Sequence, residues 1–107
     1  MPHAEIKYAR DVALDAQALL AKIETVLQAH DPGSGDCKGR AYAADHAHHD
    51  HVIVNVSMLP KSHRDAAFMR AVRQDLFDVI SAHLPRPIWL SLHVGFSGPD
   101  YMTEELV

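Results

Sequence analysis

Residues 2–9, PHAEIKYA, alternate between apolar and polar side chains. Ala4, Ile6 and Tyr8 point one way and His3, Glu5 and Lys7 the other, which predicts a strand with one buried face. The period then lengthens. In RDVALDAQALLAKIETVLQAH, Leu19, Ile23, Val26 and Leu27 share a helical stripe, widened by Ala16 and Leu20, with Asp11 as a candidate N-cap. DPGSGD, dense in turn formers, ends this helix. CKGRAYAAD predicts a second strand and HAHHD a connection. HVIVNVSML predicts a third strand, with Val52, Val54, Val56 and Met58 inward and Asn55 and Ser57 outward. Ser62, with Asp65 three residues on, resembles a capping box with Asp in place of the usual Glu or Gln. It would open a second helix, HRDAAFMRAVRQDLFDVISAHL, with Met69, Val72, Leu76, Val79 and Ile80 on one stripe. PRP stops that helix. IWLSLHVGF predicts a fourth strand, and SGPDYMTEELV a polar tail with room for one short element.

The predicted order is strand–helix–strand, twice. The first unit covers about residues 2–45, the second about 51–96, and the tail 97–107. The two units are alike in layout rather than in sequence. Each needs a crossover and a parallel strand pair. The fold class is therefore α/β (α+β): a duplicated β-α-β, with a four-stranded mixed sheet and two helices on one face. The whole chain, 1–107, is expected to form one domain. The opposite sheet face would carry Asn55, Ser57, Trp89, Ser91 and His93, a half-polar surface suited to packing against another subunit.

Composition narrows the function classes. The formal net charge is −4 with nine histidines counted neutral, and no Lys/Arg stripe is interleaved with aromatics, so nucleic acid is not an expected partner. Cys37 is the only cysteine, which excludes an intrachain disulfide and fits a reducing compartment. No apolar run has signal-peptide or membrane-helix length. The expected location is the cytoplasm, with no membrane contact.

Chemistry-bearing residues concentrate at a few points. Pro2 can head a strand simply because a first residue needs no ladder donor. Removal of Met1 would instead give Pro2 a free secondary amine. Burial and nearby cations both disfavour the ammonium form, and a neutral amine near pH 7 is what a general base needs. His3 adjoins that nitrogen, either shaping its pocket or facing solvent or a subunit. Lys38 and Arg40 lie two apart on one strand and share a side. Lys61 and Arg64 bracket the start of the second helix. These four are either solvated charges or an anion site for a carboxylate or enolate, with Arg40 and Lys61 favoured. DHAHHDH, residues 45–51, holds zinc or nickel ligand types. It has no second ligand pair at zinc-finger spacing, and Cys37 has no CxxC partner, so no metal is expected. Cys37 is assigned as a small buried residue. DPGSGD follows a helix, not a strand, and so is no phosphate loop; no GxSxG elbow occurs.

MPH at the start, the duplicated unit, GRAYAAD, HDHVIVNVSM and the long second helix together resemble the 5-carboxymethyl-2-hydroxymuconate isomerase family of the tautomerase superfamily. The resemblance implies a cofactor-independent isomerase, in the breakdown of aromatic compounds, acting on a small 2-hydroxymuconate-like dicarboxylate. It implies a homotrimer with helices outside and sheets around a central axis. Pro2 would be the base and then the acid, with carboxylates held by Lys38 or Arg40 and by Lys61. Here the sequence departs from the family pattern. Lys61 stands where an arginine is expected, and PKSHR replaces a Gly-rich turn, with Arg64 as a possible compensation one helical turn later. Lysine is a point charge and lacks the bidentate fork of arginine. Two other readings stay open: a non-catalytic or promiscuous oligomeric member of the same fold, and a His-rich metal-binding module.

Overall fold

The computed structural model describes residues 1–107. Its elements run β1 (His3–Ala9), α1 (Ala16–His30), a 3-10 turn (Pro32–Ser34), β2 (Lys38–Ala44), β3 (His51–Met58), α2 (Ala66–His83) and β4 (Trp89–Phe96). The four strands form one mixed sheet in the order β2-β1-β3-β4. β1 pairs with β2 and β3 with β4 in parallel, each across its own helix, and β1 pairs with β3 antiparallel. This is the β-α-β-β-α-β layout the hydrophobic pattern predicts. The predicted tail element is absent: residues 97–107 form no helix or strand.

The core lies between the sheet and the two helices. Ala4 and Ile6 of β1 and Val52, Val54, Val56 and Met58 of β3 meet Leu19, Ile23 and Leu27 of α1 and Val72, Leu76 and Ile80 of α2. β2 approaches α1 so closely at Gly39 that a Cβ there would lie 2.8 Å from Leu20 Cδ2. On β4, Leu90, Leu92 and Val94 are only half covered, as suits an edge strand.

Both helices start later than the sequence predicts. Asp15, not Asp11, caps α1, its Oδ1 accepting from the Ala18 N–H at 3.0 Å. The intervening residues form a turn, with the Val12 N–H donating to the Ala9 carbonyl, and Val12 and Leu14 pack on the core. Their burial leaves only the second aspartate free to cap. For α2 the N-cap is Asp65 itself, accepting from the Phe68 N–H at 2.8 Å, so the Ser62 capping box does not form. Residues 59–65 instead make a loop that turns Arg64 inward.

That loop is tied to the end of α1. Asp31 Oδ2 accepts from Arg64 Nε at 3.0 Å, Arg64 Nη2 at 2.7 Å and His63 Nε2 at 2.8 Å. Arg64 Nη1 donates to the Leu59 carbonyl at 2.7 Å. The Arg64 side chain is only 2% exposed, so its charge depends on this partner. Hydrogen bonds from His63 and Arg64 hold the Asp31 carboxyl at about 2, against an ordinary 3.8.

Replacing Asp15 with Ala is expected to cost about 1 kcal/mol, and replacing Asp11 with Ala less than about 0.5 kcal/mol, by urea denaturation at pH 7. The Asp31 pair has a pH signature of defined sign. Because folding depresses this pKa, its stabilisation is complete above 3.8 and disappears as pH falls through about 2. Asp31→Asn should therefore lie about 2 kcal/mol below the parent at pH 7, and the gap should close as both are titrated toward pH 2.

Candidate active site

Strand register sorts the polar residues by face. Parallel pairing sets His3 beside Lys38 and Glu5 beside Arg40, and antiparallel pairing sets His3 beside Ser57 and Glu5 beside Asn55. These side chains project from the face opposite the helices, because their neighbours Ala4, Ile6, Val54 and Val56 are in the core. A shallow cavity of about 470 Å³ opens there, bordered by His3, Glu5, Arg40, Asn55, Ser57 and Tyr101.

Arg40 is engaged within this group. Its Nη2 donates to Glu5 Oε1 at 2.7 Å and its Nε to Tyr42 Oη at 3.1 Å. The bond from Arg40 draws the Glu5 carboxyl below its usual range, and the reciprocal bond raises the Arg40 guanidinium. His3 Nε2 is hydrogen-bonded to Tyr101 Oη at 2.8 Å, the two rings meeting edge to face. Burial first, then the positive charges of Arg40 and the chain terminus, lower the His3 pKa below 6.5. These causes favour the neutral His3 ring. Lys38 lies on the same face, 3.9 Å from Asp36 in solvent, and its charge also acts on His3.

Pro2 takes the other, core-facing side of the strand end. Pro2 is fully buried, and its carbonyl accepts from the Lys38 N–H at 2.9 Å. One step beyond the His3–Ser57 pair lies Met58, after which the chain enters the 59–65 loop. The loop's cations act on the terminus: burial first, then Lys61 and Arg64, lower the terminal amine below its ordinary 8.0. Lys61 is exposed and has no ion pair. Arg64 adds its field, but its guanidinium is sealed against Asp31 and the Leu59 carbonyl. The expectation that Arg64 grips a substrate therefore gives way to a structural role.

Thus the Lys61 and Arg64 charges bear on the chain terminus beside Pro2, while His3, Lys38 and Arg40 lie on the helix-free face. Two participants were missing from the sequence reading. Glu5, assigned only as an outward strand residue, neutralises Arg40. Tyr101 closes over His3 from a tail with no periodicity to mark it. The histidines of residues 45–51 stand apart, at the opposite end of β3. The His48 and His49 ring centroids lie 4.0 Å apart with the rings tilted by 45°, and no three potential metal ligands converge anywhere in the chain. Cys37 is half-buried, and burial first, with Glu24 adding, pushes its thiol up to about 11, which makes it a poor nucleophile.

The fold has known counterparts. A 5-carboxymethyl-2-hydroxymuconate delta-isomerase superposes with a TM-score of 0.76 at 19% identity, over 98% of this chain and 88% of the other. A 5-carboxymethyl-2-hydroxymuconate isomerase from Deinococcus radiodurans R1 gives 0.67 at 18% identity, over 97% and 88%. A macrophage migration inhibitory factor-like protein from Entamoeba histolytica gives 0.65 at 10% identity, over 96% and 95%. No protein-family model matches the sequence, and no curated protein matches it significantly. The class these likenesses define is the tautomerase-like fold. Two of these counterparts are 5-carboxymethyl-2-hydroxymuconate isomerases, the family the sequence resembles. No helix is long and apolar enough to cross a membrane.

Arg40→Met should raise the His3 pKa toward 6.5 and the Glu5 pKa toward 4.5, since a cation that lowers both is gone. NMR titration of the His3 ring and the Glu5 carboxyl checks both shifts.

Proposed function

We propose that this protein is a cofactor-independent tautomerase, acting on a small 2-hydroxymuconate-like dicarboxylate with Pro2 as its general base. The observation that carries the reading is the chain terminus itself. An amine there is partly buried, lies in the field of two cations and titrates below 8.0. That amine is Met1's; removal of Met1 would free the Pro2 nitrogen one residue further in, beside the same loop. A neutral amine at physiological pH can take a proton; a terminus free in solvent would hold one.

In this reading the neutral Pro2 nitrogen removes the enol hydroxyl proton, leaving a dienolate, and then delivers the proton to a ring-opened chain carbon. One C–H bond forms as one O–H bond breaks, and no electrons are gained or lost. The substrate's own conjugated carbonyl acidifies the proton, so no cofactor takes part. Lys61, unpaired and close enough to act on the amine, holds one carboxylate. Lys38 and Arg40 serve the other, with Arg40 exchanging part of its hold on Glu5. Neutral His3, fixed by Tyr101, can donate one hydrogen bond without adding charge. The protein is also proposed to act as a homotrimer. The helix-free sheet face carries exposed Trp89, 79% accessible, with Tyr42 and Ile53, an apolar surface that a second copy would cover.

Mature protein should ketonise 2-hydroxymuconate, with kcat/KM rising through an apparent pKa below 8.0 as the amine deprotonates. Pro2→Ala should lower kcat/KM by about 100-fold or more while leaving the fold and oligomer intact. Lys61→Ala should move the apparent pKa back toward 8.0 and raise KM. Undiminished turnover by Pro2→Ala sinks the assignment.

A further inference from the structure

Three donors converge on one oxygen of Asp31: two from Arg64, at 2.7 and 3.0 Å, and one from His63, at 2.8 Å. Arg64 in turn fastens the loop that carries Lys61 at two points. Its Nη1 donates to the Leu59 carbonyl at 2.7 Å, and its backbone N–H to the Lys61 carbonyl at 3.0 Å. Asp31 is itself anchored to α1, its N–H donating to the Leu27 carbonyl at 2.9 Å, and Leu27 is in the core. A continuous run of bonds therefore joins the core helix to the backbone of Lys61. The Lys61 ammonium has no partner of its own, so the position of its charge is inherited from this backbone. Phe68 adds support, with His63 and His30 meeting its ring edge-on and His30 paired with Asp75.

We propose that Asp31 is a positioning residue for the candidate site: through Arg64 and His63 it holds the 59–65 loop, and with it the Lys61 charge, beside the N-terminal end of β1. The proposal rests on the reading of the terminal amine as a base. Asp31 touches no substrate and acts only through the loop. The cations bearing on that amine are Lys61 and Arg64 from the loop; the titratable His3 follows it on β1, and Lys38 stands on the neighbouring strand.

The sign of one measurement separates this role from a simple charge effect. With the loop unmoved, Asp31→Asn deletes a negative charge, which can only lower the amine pKa. If the loop is released, the Lys61 and Arg64 charges withdraw and the amine pKa rises toward 8.0. The probe is the pH dependence of acylation of the terminal amine, read by mass spectrometry of the N-terminal peptide, which needs no turnover.

In folded Asp31→Asn we expect a rise of about half a unit, or about threefold less neutral amine at pH well below the pKa. In a Lys61→Met background the same change should have a much smaller effect, because its main intermediary is gone. Asp31→Glu, which keeps the acceptor, should restore most of the parent value. His63→Ala removes one exposed donor and should move the pKa the same way by less; it carries the test if Asp31→Asn does not fold. An amine pKa that stays or falls in folded Asp31→Asn, or that fails to rise in His63→Ala when Asp31→Asn is unfolded, overturns the proposal. A raised amine pKa alongside full turnover by Pro2→Ala supports the positioning role and defeats the catalytic reading, so the two fail separately.

Discussion

The antiparallel pairing of β1 with β3 is the constraint on which the candidate site depends. Each β-α-β unit closes its own parallel pair, and this central ladder is the one strand pairing between the two units. Its register, Ala4 against Val56 and Ile6 against Val54, is enforced by the core, since a slip of one residue would turn four buried aliphatic side chains to the open face. The same register brings the end of β3 to the start of β1. Whatever follows Met58 is thereby delivered to the chain terminus. A loop rich in cations at that point, PKSHR, is placed there by hydrophobic packing on the other side of the sheet.

A buried charge inside that loop is a costly feature that the fold tolerates because it is fully partnered. Desolvating a guanidinium costs several kcal/mol, and an ion pair offsets that cost only when geometry is good and the remaining donors are satisfied. Arg64 meets both conditions: each of its three guanidinium nitrogens has an acceptor, and no buried side-chain polar atom in the chain is left unpartnered. Arg40 shows the contrasting case. It is half exposed and paired with a half-exposed Glu5, so water competes for both ends and the pair is easily rearranged. Of two arginines that look alike in sequence, one is structural and the other remains available.

Residues whose environment is set by local period were legible; those set by distant partners were not. The alternation in β1 and β3 and the stripes of α1 and α2 predicted the inward residues, because a strand or helix repeats its burial within a few positions. The caps were displaced by four or three residues because Val12 and Leu14 bind the core before α1 begins, and because the 59–65 loop must reach Asp31 before α2 begins. Arg64 in SHRD has every mark of a solvated charge, and its partner stands 33 residues away. Tyr101 lies 98 residues from His3, in a tail without periodicity. Glu5 and Arg40 sit on strands whose mutual register no local pattern fixes. Position was nonetheless informative for Pro2, Lys38, Arg40 and Lys61, since loops at one end of a β-α-β pair gather at one end of the sheet.

In the proposed reaction these charges would act twice, with opposite consequences. Before substrate binds, burial first, then Lys61 and Arg64, lower the terminal amine below 8.0. A dicarboxylate then adds two negative charges beside the same cations. Its nearer carboxylate offsets Lys61 at close range, and Coulomb attraction to an incipient ammonium grows as water leaves the cleft. The amine's proton affinity therefore rises when the enol proton becomes available. It falls again when product departs and the cations are uncompensated. A base whose affinity is lowered by burial together with cations that are themselves the substrate's binding partners needs no separate switch between accepting and releasing a proton. A hydrophobic pocket alone would lower the amine equally with and without substrate, which makes the unpaired Lys61 charge more informative about mechanism than the burial of Pro2.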